Sequence, residues 1–414
     1  MLRLDILFHS RSAVRQIALF LAIIASTIAF ATTTVSSRIF VDIFRIGAST
    51  LFILLVTLLI FTQLKEKRIV LYSIFLLLCL FGYGMLQIFI RGTPHDDAES
   101  LVLNFLVTFA LTYIFSIRTG REEDHLLAVS IILYAFSILI LTFIIGGIKF
   151  EPIPHFIFEY VNINIEGKSE VEYTQGATKF YGLAAICSSY LMVNTNSFYI
   201  KSFSLFSLAL FIILTVMGGA RGEAIFAILI VFYIIIKVSR KFFWFFLFIT
   251  TVTIIYLSNI IDFKQFVLIE RMLNIINSSG DRIGILWDSF NLLISRLDCL
   301  IIGCGPYYFQ DYYGYSLGLY PHNFVIEFII IYGILITIFI FILFIRGMYL
   351  VLYNKIQMGL FSPLIIYFFL ISLKSGSVIS SWFVMAGLLY FAAVGMASFG
   401  QSNANYMQLN TKRD

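Results

Sequence analysis

Twelve apolar stretches, most of them close to the roughly 20 residues a helix needs to cross a bilayer, dominate this chain. They fall near 14–33, 43–63, 69–90, 101–117, 126–147, 177–195, 202–218, 222–238, 242–260, 323–345, 359–373 and 377–397. Lipid offers no hydrogen-bond partners, so a spanning segment must satisfy its own backbone as a helix or close into a barrel. No series of segments alternates with period two, which excludes a membrane barrel. Composition agrees. The 414 residues are 60% hydrophobic and 12% charged, against about 45–50% apolar and about 25% charged in soluble domains. Such a chain cannot cover a water-facing surface with polar groups. The expected fold class is therefore an all-α polytopic membrane protein, a single transmembrane domain over 1–414 with about twelve spanning helices. A soluble globular protein, a disordered chain, a disulfide scaffold and a nucleic-acid-binding domain are excluded. No convincing cleavage site follows the first stretch, so it is expected to be retained as a span. No internal repeat marks a transporter of two matching halves.

Short loops rich in Lys and Arg stay on the cytoplasmic side. With a cytoplasmic N-terminus, sixteen of the 28 Lys and Arg fall in short cytoplasmic segments, among them Lys65, Lys67, Arg68, Lys237, Arg240 and Lys241. The other side then holds the long loops, and both termini are expected in the cytoplasm. One external loop, 148–176, carries Glu151, Glu159, Glu166, Glu170 and Glu172. The larger one, 261–322, is of a length that is uncommon unless it works, and it is expected to contain its own short helices. Phe263, Phe266, Val267, Ile269, Leu273 and Ile276 mark one apolar face. Ile283, Leu286, Trp287, Phe290, Leu293 and Ile294 mark another at helical spacing. Ser279 and Asp281 are start signals for the second helix. These faces are expected to rest on the membrane or on the bundle. Cys79 and Cys187 sit in apolar runs and read as buried small hydrophobes. Cys299 and Cys304 share the large loop; they pair if it faces an oxidising compartment, and two reduced thiols are the equal alternative. Zinc is not expected from that spacing.

Five places hold residues suited to chemistry. Arg221 stands in Gly218-Gly219-Ala220-Arg221-Gly222-Glu223, a short external link. An arginine that opens a helix at the membrane surface makes an anion site; an interfacial anchor paired with Glu223 is the equal alternative. Arg282 opens the second loop helix, where free N–H groups favour anions; a surface arginine paired with Asp281 or Asp288 is the plainer reading. The turn Gly303-Cys304-Gly305-Pro306 leads into Tyr307, Tyr308, Tyr312, Tyr313, Tyr315 and Tyr320. Such rings suit sugars, and they also suit an interfacial aromatic belt. His322, in Tyr320-Pro321-His322-Asn323, has the one side chain that titrates near neutrality and is suited to act as a base at a helix end; a capping histidine is the alternative. The acidic run His95-Asp96-Asp97-Ala98-Glu99 suits Mg²⁺ or Mn²⁺, but a solvated acidic loop is preferred for it, so no metal is expected.

From about 215 to 345 the chain resembles the O-antigen polymerase and O-antigen ligase superfamily. The matching features are Gly219-Ala220-Arg221-Gly222, Asp281-Arg282 with Trp287, Gly303-Cys304-Gly305, His322-Asn323, and Gly333 ten residues on. The first 200 residues share only the hydropathy layout. The resemblance implies a multi-spanning GT-C-type glycosyltransferase that needs no metal, cofactor or nucleotide sugar. It implies glycans on undecaprenyl pyrophosphate as substrates, at the periplasmic face of the bacterial inner membrane. Arg221 and Arg282 would bind pyrophosphate, and His322 would position or deprotonate the acceptor hydroxyl. Tyr313, Tyr320 and Asn323 would face the glycan. A chain-length regulator is an expected partner, alongside membrane lipid; nucleic acid is not. Polymerase is favoured over ligase, and a lipid-linked oligosaccharide flippase is the alternative of another class. Arg45 and Lys374 lining a membrane-crossing cavity would favour transport.

Overall fold

The computed structural model describes residue 17 and residues 68–91, 98–116, 121–144, 148–149, 155–156, 158–161, 168–171, 175–218, 220–238, 244, 280–316, 319–353, 359–379 and 381–398. Helices dominate them, in keeping with an α-helical membrane protein. In chain order they are α1 (Arg68–Arg91), α2 (Ala98–Ser116), α3 (Arg121–Ile144), α4 (Gln175–Asn194), α5 (Phe198–Met217), α6 (Arg221–Val238), α7 (Gly280–Ser295), α8 (Leu297–Ile302), α9 (Tyr308–Tyr313), α10 (Phe324–Tyr353), α11 (Phe361–Ser375) and α12 (Trp382–Ala397). Nine of these, all except α7–α9, coincide with expected spans. The expected spans at 14–33, 43–63 and 242–260 lie outside the described residues, as does the first apolar face of the large loop. Among the described residues, Ile69–Arg91, Phe198–Met217 and Phe324–Val351 are long and apolar enough to cross a membrane by length and composition. Within the 148–176 loop stand two short antiparallel ladders where no element was expected. The first, β1 (Ile148–Lys149) with β2 (His155–Phe156), pairs Ile148 with Phe156. The second, β3 (Phe158–Val161) with β4 (Lys168–Val171), pairs Phe158 with Val171 and Tyr160 with Ser169.

Helices α4 and α12 are the two inner staves. A helix apolar on every side belongs inside, and α12 is buried over Trp382–Leu389 and again over Phe391–Gly395. It packs against α10, α2, α1 and α11, while α4 packs against α5, α6 and α3. Close approach to α10 depends on small residues. A Cβ on Gly347 would collide with the Phe391 carbonyl, and one on Gly395 with the Leu343 carbonyl, the tight backbone contact typical of membrane helix pairs. Several buried hydroxyls bond back into their own helices, as Thr112 to the Thr108 carbonyl at 2.7 Å and Thr215 to the Phe211 carbonyl at 2.6 Å, which meets their polar groups in an apolar interior. Contacts between elements sort by bundle end. Asp124 meets Tyr190 and the Leu360 amide at one end, and Asn323 meets Leu373 at the other. Successive described helices of the bundle therefore alternate in direction.

Helix α10 is broken at Gly333, whose φ of 81° and ψ of 162° lie in a region open essentially to glycine alone. Gly303 adopts nearly the same angles, φ 79° and ψ 163°. The two strands of backbone cross there. The amide of Cys304 donates to the Ile330 carbonyl at 2.7 Å, and that of Gly305 to the Ile331 carbonyl at 3.2 Å. A Cβ on either glycine would strike the backbone of the other segment. The break thus frees carbonyls that the turn after α8 satisfies. Gly303→Ala and Gly333→Ala should each lose roughly 1–3 kcal/mol of backbone conformational energy, plus the collision. In Gly284→Ala, where the space is open, the helix should gain about 0.5–1 kcal/mol. Thermal unfolding of the detergent-purified variants checks the contrast.

Candidate functional site

Four helix ends converge at the end of the bundle that carries His322. They are the starts of α4, α6 and α10 and the close of α11. Asn323 does the central joining. Its Oδ1 accepts from the amides of Val325 at 3.0 Å and Ile326 at 3.1 Å, which makes it the N-cap of α10, a role asparagine fills well. Its Nδ2 donates to the Leu373 carbonyl at 2.8 Å, meeting one of the orphan carbonyls at the end of α11. One turn on, the buried Glu327 accepts from the Ser377 hydroxyl and the Val378 amide, both at 2.9 Å. The start of α10 is thereby clamped to the turn that follows α11.

The next residue of α11, Lys374, ties the same end to α6. Its Nζ lies 2.7 Å from Glu223 Oε2, with Glu223 1% exposed and Lys374 31% exposed. Lys374 runs across Gly222, where a Cβ would displace it; the side-chain-free position lets the lysine lie flat on the helix start. Thr178 Oγ1 accepts the Ala220 amide at 3.2 Å, and the Tyr367 hydroxyl donates to the Lys179 carbonyl at 3.1 Å. Lys179 itself lies 4.9 Å from the Phe368 ring centre. Arg221 therefore opens α6 in a cluster that also holds Lys179, Lys374 and Glu223. Lys374 is anchored to a buried carboxylate rather than facing a membrane-crossing cavity; Arg45 lies outside the described residues.

His322 is held in an unusual backbone state. Its φ of 54° is in the left-handed region, which costs a non-glycine residue about 1–3 kcal/mol and clusters at working sites. Its ring lies 4.3 Å from that of Tyr320. Two joints connect it to Arg221: Asn323 to Leu373, then Lys374 to Glu223. Arg282 lies in the first turn of α7. The acidic run at Asp96 and Asp97 lies outside the described residues.

The tyrosines divide by task. The Tyr313 hydroxyl donates to the Asp288 carbonyl at 2.8 Å and that of Tyr315 to Asp288 Oδ2 at 2.6 Å, so these two pin α9 onto α7. Burial raises the Tyr313 hydroxyl pKa, and its hydrogen bond to Asp288 raises that of Tyr315. Tyr308 is buried, while Tyr312 is exposed. Beneath them Cys299 and Cys304 form a disulfide with Cα atoms 4.8 Å apart. This settles the pairing left open by the sequence, and it removes both sulfurs as metal ligands beside Asp298.

A second charged cluster went unnoticed in the sequence. Arg91, at the end of α1, contacts Asp298 at 2.5 Å, and Arg296 contacts it at 3.0 Å. Both guanidinium groups lie near the Tyr308 ring, at 5.6 and 5.8 Å from its centre. Hydrogen bonds from Arg296 and then Arg91 hold the Asp298 carboxyl well below the usual carboxylate range. The only advance signal was a lone arginine closing an apolar run. A cavity of about 60 Å³ touches both regions, with Pro306 from the disulfide turn and Val378 from the Glu327 clamp among its walls. The chain matches no protein family model and no curated protein.

The folded pKa of Asp298 lies below its unfolded value. Its contribution to stability is then full above about pH 4 and is lost as pH falls from there. Asp298→Asn should lower the unfolding temperature at pH 7, with the gap to the native protein constant down to about pH 4 and only starting to narrow by pH 3. Thermal scans across that range in detergent check it.

Proposed function

We propose that this chain is a metal-independent glycosyltransferase that polymerises lipid-linked glycan units, as the O-antigen polymerases that it resembles in motif order do. The observation that carries the reading is the meeting of the His322 and Arg221 segments at one bundle end, through Asn323–Leu373 and Lys374–Glu223. In this reading the donor is a growing glycan on undecaprenyl pyrophosphate and the acceptor a lipid-linked repeat unit. Arg221 and Arg282 grip the pyrophosphate, because the planar guanidinium matches two phosphate oxygens at once. Neutralising that charge makes pyrophosphate a good leaving group without a metal. His322, neutral when it acts, takes the proton of the acceptor hydroxyl. The oxygen then bonds to the anomeric carbon as the bond from that carbon to the pyrophosphate oxygen breaks. Tyr320, whose ring covers His322, offers a face to the sugar. Tyr313 and Asn323 serve by holding α9 and α10, since their polar groups bond the protein itself.

The frame proposed for this chemistry is a GT-C-type bundle of twelve spans in the bacterial inner membrane, with both termini cytoplasmic. The disulfide supports a periplasmic position for the His322 end, because disulfides persist in oxidising compartments. The basic loops at the opposite bundle end support the same orientation. A chain-length regulator is the proposed protein partner.

Deletion of the gene should leave lipopolysaccharide with a single repeat unit on gels. His322→Ala at matched expression should reproduce that pattern, since a positioned base contributes about 10²–10⁴-fold. Arg221→Lys should shorten or abolish the ladder, because lysine keeps the charge and loses the fork. Core lacking all O-antigen, with lipid-linked polymer accumulating, would assign a ligase instead. A normal ladder from His322→Ala would remove that residue from the site.

A further inference from the structure

Helix α8 and the disulfide turn after it do not sit on top of the bundle; they enter it. The Tyr83 hydroxyl donates to the Ile302 carbonyl. Tyr83 stands eight residues before Arg91, about 12 Å down α1 at 1.5 Å per residue. On the other side, Gly303 crosses Gly333, ten residues beyond Asn323 and about 15 Å down α10. Nearer the end of α1, Pro306 rests on the Gly84 position and Gly305 on Gln87. The chain then turns and climbs through Tyr307 to Tyr308, the first residue of α9, whose ring lies beside Arg91 at the end of α1. So α8 descends from the level of Asp298, the disulfide turn starts at the level of Tyr83 and Gly333, and the chain returns through Gly305 and Pro306 to the start of α9.

One side of this hairpin faces the bundle and the other does not. Leu292, Leu293, Cys299, Cys304 and Phe309 are buried with Ile330. The apolar residues read from the sequence as a single face therefore split: Leu293 turns inward, while Trp287 and Ile294 are exposed, and Leu297, Ile301 and Ile302 of α8 are exposed beside them, all five between 48% and 72%. Held between the Arg91–Asp298 and Tyr83–Ile302 contacts, the α8 part of that outer stripe, Ile301 and Ile302, runs at the depth of α1's own exposed residues Leu86, Phe89 and Ile90, and α1 is one of the helices apolar enough to span a membrane. The backbone chemistry agrees. The carbonyls freed at the α10 break are met by the amides of the turn, as irregular backbone at membrane depth requires.

We infer that α8 and the disulfide turn form a re-entrant membrane hairpin whose outer face, continuing that of α1, is wetted by the hydrocarbon of the outer leaflet. The inference stands independently of any glycosyl transfer.

Fluorescence quenching in proteoliposomes tests it. Trp244 and Trp287 are replaced by phenylalanine, Trp382 stays as a constant background, and one tryptophan is added by Leu297→Trp or Ile301→Trp. Leu86→Trp gives the lipid reference and Ser316→Trp, at an exposed loop position, the aqueous one. Ile301→Trp should be quenched by brominated phosphatidylcholine as strongly as Leu86→Trp and should lose quenching by iodide. Leu297→Trp, nearer the head groups, should respond more to bromines placed high on the acyl chain. Iodide quenching of both at the Ser316→Trp level would put the hairpin in water. Quenching by neither agent would mean that protein covers the face. Either result overturns the inference, and two positions guard against one variant that misfolds.

Discussion

Everything at the His322 end rests on the crossing of Gly303 with Gly333. A helix that stops hydrogen-bonding inside a membrane exposes carbonyls with no water to meet them, at several kcal/mol each. Here the carbonyls of Ile330 and Ile331 find the amides of Cys304 and Gly305, and the Thr337 hydroxyl takes the Gly333 carbonyl at 2.7 Å. The break and the hairpin are therefore one object. Neither survives without the other, and both need a residue that tolerates that backbone state without a Cβ. The disulfide a few atoms away shortens the loose chain that must be ordered to make the crossing.

The break also separates the first two turns of α10 from the rest of the helix. Those turns carry His322 just ahead of Asn323, and then Glu327. They are held on one flank by the hairpin and on the other by the turn after α11. The hydrogen bonds of Asn323 and Glu327 tie this short half-helix to α11, and Lys374 passes the connection to α6 through Glu223. Truncating either partner of that ion pair would strand a charge in an apolar setting, which costs more than the pair itself contributes. Rigid connection matters for the proposed chemistry, where a base and an anion grip must keep their separation while a bond is exchanged between two large substrates.

How much of this was legible in the sequence varied with the kind of interaction. Long apolar runs locate spans well, because lipid admits few alternatives; 177–195 and 222–238 became α4 and α6 almost unchanged. Composition did not separate inner from outer helices, since α10 is as apolar as α12 yet shows Leu335 and Phe339 to the outside while α12 is buried. His322, Asn323, Arg221 and Gly333 were each singled out, but the cap made by Asn323 and the break at Gly333 depend on partners far along the chain. The Lys374–Glu223 and Arg91–Asp298 pairs join residues 151 and 207 apart, a link no local pattern encodes. The ladders in 148–176 were missed because two- and four-residue strands are too short for period two to register.

The account's central claim is that this one bundle end performs glycosyl transfer with guanidinium groups and a histidine in place of a metal. The direct measurement is reconstitution of the purified protein in proteoliposomes with lipid-linked repeat units from the same cells, in the presence of EDTA. The account predicts glycans of increasing length with release of undecaprenyl pyrophosphate, unaffected by the chelator. Repeat units that stay single, or lengthen only when Mg²⁺ or Mn²⁺ is restored, would contradict it.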